Sequence, residues 1–231
     1  DFTRQELLGM GVHEQRIVII NPGVDVDRFR PGLMCDDLKA SIGLTAAQKL
    51  ILSVGRLSRR KGFDMMLRSL PELAKQKLDV HFALVGIGED RDYLSNLAAE
   101  LGIADRVHFL GHVSPDDLPR WYNACDVFAM PNREINGDTE GFGMVFVEAA
   151  ACGKPAIAGN AGGTGAAVVE GETGFRVDGT RVDTVADALA QVLGDVALAQ
   201  RLGRAGYERV CSHFSWASVA QATASLMDAR K

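Results

Sequence analysis

No stretch of this sequence approaches the roughly 20 consecutive apolar residues that a membrane-crossing helix needs, so no helical span is expected. Excess positive charge is missing too. The net charge is −5 over 231 residues, which leaves no global basic field to gather nucleic acid or anionic lipid, local patches aside. Cysteine is sparse. Cys35, Cys125, Cys152 and Cys211 lie far apart with no Cys-x-x-Cys pair, which points to free thiols in a reducing compartment rather than a disulfide framework. No His, Cys, Asp and Glu set has metal-ligand spacing. There is no signal peptide, and the chain opens Asp-Phe-Thr-Arg without an initiator Met, so a piece of a longer protein is expected. Internal repeats and low-complexity segments are also absent.

What is present is an ordinary globular composition, 47% hydrophobic and 24% charged, in a chain long enough for a sizeable core. Short apolar runs alternate with amphipathic stretches. Ile17–Ile20, Leu50–Val54, Val80–Val85, Val107–Leu110, Val127–Met130 and Pro155–Ala158 read as strands, the strong ones buried on both faces. Helical patterns cover Gly62–Lys77, Arg91–Leu101, Pro115–Ala124 and Gly143–Ala151, then Val182–Leu193, Ala197–Cys211 and Trp216–Met227. Ser114-Pro115 reads as a helix cap followed by Pro at the first helical position. Strand and helix in alternation predict an α/β fold, a Rossmann-like parallel sheet with helices on both faces.

Such sheets bind ligands beyond the carboxyl ends of their strands. After the first strong strand come Gly55, Arg56 and Lys61. Arg56 can grip phosphate oxygens bidentately, and Lys61 adds charge where the next helix offers free N–H groups, a combination that suits a diphosphate. The alternative is a solvated basic loop. The next strand ends in Gly86-Ile87-Gly88, a tight turn or a close approach of backbone to a ligand, without the third glycine of a dinucleotide fingerprint at Arg91. Gly111, His112 and Val113 end the following strand, where backbone groups can meet a base edge. The richest loop runs from Pro131, Asn132 and Arg133 to Glu140-Gly141-Phe142-Gly143-Met144 and on to Glu148. A carboxylate among Val145, Phe146, Val147 and Ala149 needs partners, and two adjacent sugar hydroxyls supply them. The alternative pairs Glu148 with Arg56 or Lys61 and leaves Glu140 in solvent.

Taken in order, these motifs resemble the C-terminal domain of the family-4 retaining glycosyltransferases. The resemblance rests on Asn21-Pro22-Gly23-Val24-Asp25, Gly55-Arg56-Leu57 with Lys61-Gly62, Val85-Gly86-x-Gly88, Leu110-Gly111 and Glu140-Gly-Phe-Gly-x-x-x-x-Glu148-Ala149. It continues through Cys152-Gly153-Lys154-Pro155 and Gly171-x-Thr173-Gly174-Phe175. The flavour is that of bacterial mannosyl- and glucosyltransferases acting on lipid or polysaccharide acceptors.

The resemblance implies one half of a GT-B fold, holding a nucleotide-diphosphate sugar, with hexose transfer that retains anomeric configuration. It implies Glu140, Arg56 and Lys61 as the groups acting on the reacting centre. Gly55, Gly86, Gly111, His112, Val113, Phe142, Gly143, Met144 and Glu148 join them in donor contact, Glu148 at the ribose. No metal or other cofactor is implied. The acceptor site belongs to a missing N-terminal domain, so the chain alone is expected to be inactive. By this reading residues 1–24 are the tail of that domain plus a linker, 25–212 the nucleotide-sugar domain, and 213–231 a helix that crosses back. A cytoplasmic location follows, with peripheral membrane contact through the missing domain and self-association through exposed termini as further expectations, and no nucleic-acid partner. A stand-alone nucleotide-binding module is the non-catalytic alternative; a dinucleotide dehydrogenase would need a glycine triplet that is missing. One departure stands out: many relatives carry Gly-Gly-x-Pro-Glu where this chain has Gly162-Gly163-Thr164-Gly165-Ala166, which puts that loop's shape in question.

Overall fold

The computed structural model describes residues 2–228; Asp1 and residues 229–231, the outer ends of the first and last expected segments, lie outside the described residues. A single sheet of six parallel strands organises the chain. The strands are β1 (Lys49–Val54), β2 (Val80–Val85), β3 (Val107–Gly111), β4 (Val127–Met130), β5 (Ala156–Gly159) and β6 (Gly174–Val177), in the spatial order β3-β2-β1-β4-β5-β6. β1, β2, β4 and β5 are almost wholly buried, which is why they read as continuous apolar runs with no alternation. β6 escaped the sequence reading because its four residues Gly-Phe-Arg-Val form an edge strand with little apolar content.

Helices α1 (Phe2–Gly9), α2 (Asp36–Ser41), α3 (Phe63–Lys75), α4 (Arg91–Glu100), α5 (Leu118–Ala124), α6 (Met144–Ala151), α7 (Val182–Gly194), α8 (Val196–His213) and α9 (Trp216–Asp228) complete the described chain. α3 packs beside α4 and α7, while α5 packs beside α2 and α6, and α6 beside α8. The parallel register is pinned at its lower end by Asp126. Its carboxylate accepts from the Leu50 amide at 2.9 Å and pairs with Lys39 at 3.2 Å and Lys49 at 3.0 Å, tying β1 to the start of β4. Asp195 caps α8 by accepting from the Leu198 amide at 3.0 Å.

Two expectations need correction. Ile17–Ile20 is not a strand: Val18, Ile19 and Ile20 are exposed, and among the described residues no strand pairs with the segment. Apolar content alone does not make a strand when no neighbouring backbone is free to complete the ladder. The chain next joins the domain at Val24, whose amide donates to the Phe214 carbonyl at 2.7 Å. The helix expected at Pro115 begins instead at Leu118. Ser114 still acts as a cap, but of a preceding turn, its Oγ accepting from the Asp117 amide at 3.1 Å.

At the β3 edge His81 and His108 stack with ring centroids 5.3 Å apart, and their ring nitrogens His81 Nδ1 and His108 Nε2 lie 3.1 Å apart. Gln48 contacts His81 Nε2 at 3.1 Å, and Asp79, Asp105 and Arg106 surround the pair. Burial pushes both imidazoles below their ordinary value of 6.5, and His81 lowers His108 further. A depressed imidazole means the unfolded chain binds more protons as pH falls, so this contribution to stability is present above pH 6.5 and is lost below it. Thermal melting between pH 8 and pH 5 should show Tm falling on the acid side of about 6.5. His108→Gln, which keeps a hydrogen bond and cannot titrate, should flatten that fall.

Candidate nucleotide-sugar site

The strand order reverses between β1 and β4, and the residues singled out in the sequence collect at the carboxyl ends around that point. The glycines come first. The Gly55 amide donates to the Val85 carbonyl at 2.9 Å, and the Gly86 amide to the Gly111 carbonyl at 2.8 Å, so the three strand ends lie side by side. Beyond Gly55 the chain makes a short 3-10 turn, Arg59–Lys61, before α3 begins. That turn folds Lys61 back over the end of β1. Its Nζ lies 3.9 Å from where a Cβ on Gly55 would stand, the same distance as the Met130 sulfur at the end of β4. The ammonium therefore sits over the reversal itself.

Glu140 is not in solvent. Its Oε2 accepts from Lys61 Nζ in a short ion pair and from Arg60 at 3.2 Å. Lys61 and Glu140 side chains are only 12% and 14% exposed, so this contact is shielded from water. Arg60 also reaches Asp138 at 3.1 Å, on a tight turn whose Asn136 and Gly137 both have positive φ, the geometry that Asn-Gly favours. The sequence reading passed over Arg60; its only signal was its place in the run Arg59-Arg60-Lys61. Arg56 behaves differently. It is 74% exposed and pairs with Glu89 at 3.1 Å, beside an open recess of about 690 Å³ lined by Gly86, Ile87 and Gly88.

α6 starts at Met144, with Gly143 as its cap at φ 86°, a left-handed conformation that glycine adopts without strain. No side chain caps the first N–H groups of this helix, and Glu140 Cγ lies 3.5 Å from where a Cβ on Gly143 would stand, so the helix start adjoins the Glu140–Lys61 ion pair. Phe142 uses its ring to pack on Phe214, 5.8 Å between centroids, so it offers the site its backbone. One turn into α6, Glu148 is paired with neither Arg56 nor Lys61. Its Oε2 accepts from the phenol of Tyr122 at 2.7 Å, a partner the sequence reading missed. Burial raises its carboxyl above the ordinary range, while the Tyr122 bond and then the charge of Arg28 pull it back. His112 is exposed and Val113 half-buried beside Gly111, at the edge of the group.

The loop that departs from the family pattern closes onto the site without its Pro and Glu. The Gly163 amide donates to the Glu140 carbonyl at 2.7 Å, and a Cβ on Gly163 would stand 1.9 Å from the Gly141 carbonyl oxygen. Buried Thr164 ties the loop's start down through the Gly159 carbonyl at 2.6 Å. Gly163 and Phe142, with Thr3, Leu7 and Ile19, also line a cavity of about 230 Å³ beneath the N-terminal segment. Among the described residues no three His, Cys, Asp or Glu side chains converge as a metal site requires, and no helix is long and apolar enough to cross a membrane.

Residues 36–209 match the family Glycosyl transferases group 1. The chain belongs to that family. It is 38% identical over 216 residues to the GDP-mannose-dependent alpha-(1-6)-phosphatidylinositol monomannoside mannosyltransferase of Mycolicibacterium smegmatis, a match covering 91% of this chain and 56% of that protein. A D-inositol 3-phosphate glycosyltransferase of Rhodococcus opacus is 38% identical over 213 residues, covering 89% of this chain and 46% of the relative. The chain thus spans about half the length of the curated relatives it matches. Among solved structures, the Anabaena protein HepE in complex with UDP and glucose superposes with a TM-score of 0.85 at 24% identity, over 98% of this chain and 60% of that one. The six-stranded parallel sheet with its surrounding helices is the fold of a GT-B half-domain.

The loop after β4 is braced from below by Arg133, another residue whose role only the structure reveals. It donates to Asp64 at 2.9 Å, and both side chains are nearly buried. Asp64 Oδ1 has no hydrogen-bond partner, so Arg133 is what compensates this carboxylate. Arg133→Ala should lower the unfolding free energy by about 3–5 kcal/mol, because it strands a buried charge. Urea denaturation checks this; Asp64→Asn combined with Arg133→Ala should recover much of the loss.

Proposed function

We propose that this chain is the donor-binding half of a hexosyltransferase that holds a nucleoside diphosphate hexose at the gap between β1 and β4. GDP-mannose is the first donor to test, since it is the donor in the name of a relative 38% identical over 91% of the chain. The observation that carries the reading is the position of Lys61 over the strand reversal, with the free N–H groups at the start of α6 beside it.

In the proposed complex the diphosphate takes the place Glu140 now occupies against Lys61 and Arg60, and Arg56 swings from Glu89 to close on it. Glu140, released, meets the hexose together with the backbone of Phe142, Gly143 and Met144. Glu148 takes the ribose, and Gly86, Gly111, His112 and Val113 border the base. Transfer breaks the bond from sugar C1 to the diphosphate oxygen, which keeps the electron pair, and makes one from C1 to the acceptor oxygen, whose proton passes to the departing diphosphate. The charge left on the diphosphate falls on Lys61, Arg60, Arg56 and the α6 terminus, groups able to do what a metal ion would otherwise do. Retention of configuration belongs to the same proposal. So does the need for a second wall, carrying a lipid or saccharide acceptor, because near-attack geometry requires both reactants to be held. The chain alone then binds donor and transfers nothing.

Calorimetry with GDP, UDP and their sugars tests this. Lys61→Ala should cost nucleoside diphosphate binding at least about tenfold, the equivalent of one charge-assisted contact, and leave nucleoside binding nearly unchanged. EDTA should not alter the diphosphate affinity. Equal losses for nucleoside and diphosphate would place Lys61 in the support of the fold instead.

A further inference from the structure

The aromatic cluster under the site contains one hydroxyl among phenyl rings. Tyr122, on α5, is completely buried. Phe29 meets its ring edge-on, with centroids 5.9 Å apart and planes at 67°, and Phe128 lies 5.5 Å away at 48°. Phe128 in turn makes a T-shaped contact at 5.5 Å with Phe146 of α6. Packing of this kind is fully served by a phenyl ring, as the three phenylalanines show. The extra oxygen of Tyr122 lands 2.7 Å from Oε2 of Glu148 and donates to it.

We infer that Tyr122 is a positioning residue for ribose recognition: locked by its aromatic neighbours, its phenol fixes the plane of the Glu148 carboxylate and leaves Oε1 and the remaining lone pair of Oε2 for the ribose diol. The inference rests on the proposed role of Glu148 at the ribose. A carboxylate offers about four acceptor sites, of which the phenol takes one. Only the ionised carboxylate accepts from both hydroxyls at once. Burial works against ionisation here, and the phenol bond opposes burial. The phenol itself is pushed far above its ordinary value by burial and by Glu148, so it remains protonated and keeps donating.

Tyr122→Phe retains the ring and removes the hydroxyl. In the full chain, titrated calorimetrically with GDP and 2′-deoxy-GDP between pH 5.5 and 8.5, the variant should lose about tenfold in GDP affinity, the size of one hydrogen bond to a charged group. The loss for 2′-deoxy-GDP should be smaller, and the acid limb of GDP binding should move to higher pH. Combined with Glu148→Gln, Tyr122→Phe should have no further effect on discrimination between the two ligands. A purely structural tyrosine would move neither the pH limb nor the discrimination. If Glu148→Gln removes discrimination while Tyr122→Phe leaves affinity, discrimination and pH limb intact, the positioning role is overturned and the ribose assignment stands. If Glu148→Gln leaves discrimination unchanged, both fall. Should Tyr122→Phe fail to fold, 3-fluorotyrosine at position 122, a stronger hydrogen-bond donor of nearly the same shape, should shift the acid limb to lower pH; an unmoved limb overturns the inference.

Discussion

Parallel strands must be joined by crossovers that lie on one face of the sheet or the other, and the strand order decides which. Here the order runs outward from β1 through β2 to β3 in one direction and from β4 through β5 to β6 in the other. The connections leaving β1 and β4 therefore go to opposite faces of the sheet, and the gap between them is bridged by the two loops themselves: the Arg133 amide donates to the Arg60 carbonyl at 2.8 Å, and a Cβ on Gly62 would stand 2.0 Å from the Pro131 carbonyl oxygen. Two consequences follow from that one constraint. The turn after β1 can fold Lys61 back over the gap, and the long loop after β4 can bring the start of α6 beside it. Positive side-chain charge and unpaired helix N–H groups thus meet at a place set by topology.

Charge gathered this way must be balanced. Glu140 does so by pairing with Lys61 and Arg60, and Asp138 adds a second anchor for Arg60. The loop that carries these acids is held by buried polar groups rather than by regular structure. Asn132, wholly buried, accepts from the Gly159 amide at 3.1 Å and donates to the Ala161 carbonyl at 3.0 Å. Arg133 ties the same loop to α3 through Asp64. Buried polar groups are costly without partners and rigidifying with them, so this network converts a long connection into a defined wall.

The framework was legible in the residues because burial on both faces leaves a plain trace. Leu50–Val54 and Val80–Val85 are apolar but for Ser53 and His81, Val127–Met130 is apolar throughout, and each is a strand within a residue of the expected bounds. Where burial is partial the trace fades: β6 and α2 are short and weakly apolar, and both were missed. Ile17–Ile20 failed for the opposite reason. Its composition is that of a strand, but pairing is a property of two segments, and among the described residues no second one receives it.

The sequence by itself determined the fold class, the family and which loops leave the carboxyl ends of the strands, since glycine spacing and strand-end position are local properties of the chain. What it left open was which charge meets which. Glu148 found the phenol of Tyr122, 26 positions away, and Glu140 found Lys61 and Arg60, about 80 positions away. Arg56, which the motif presents as the equal of Lys61, points into solvent toward Glu89. Such pairings depend on how far each helix is rotated about its axis and on how much water reaches each side chain. Both are settled by packing between distant segments, so only the tertiary structure decided them.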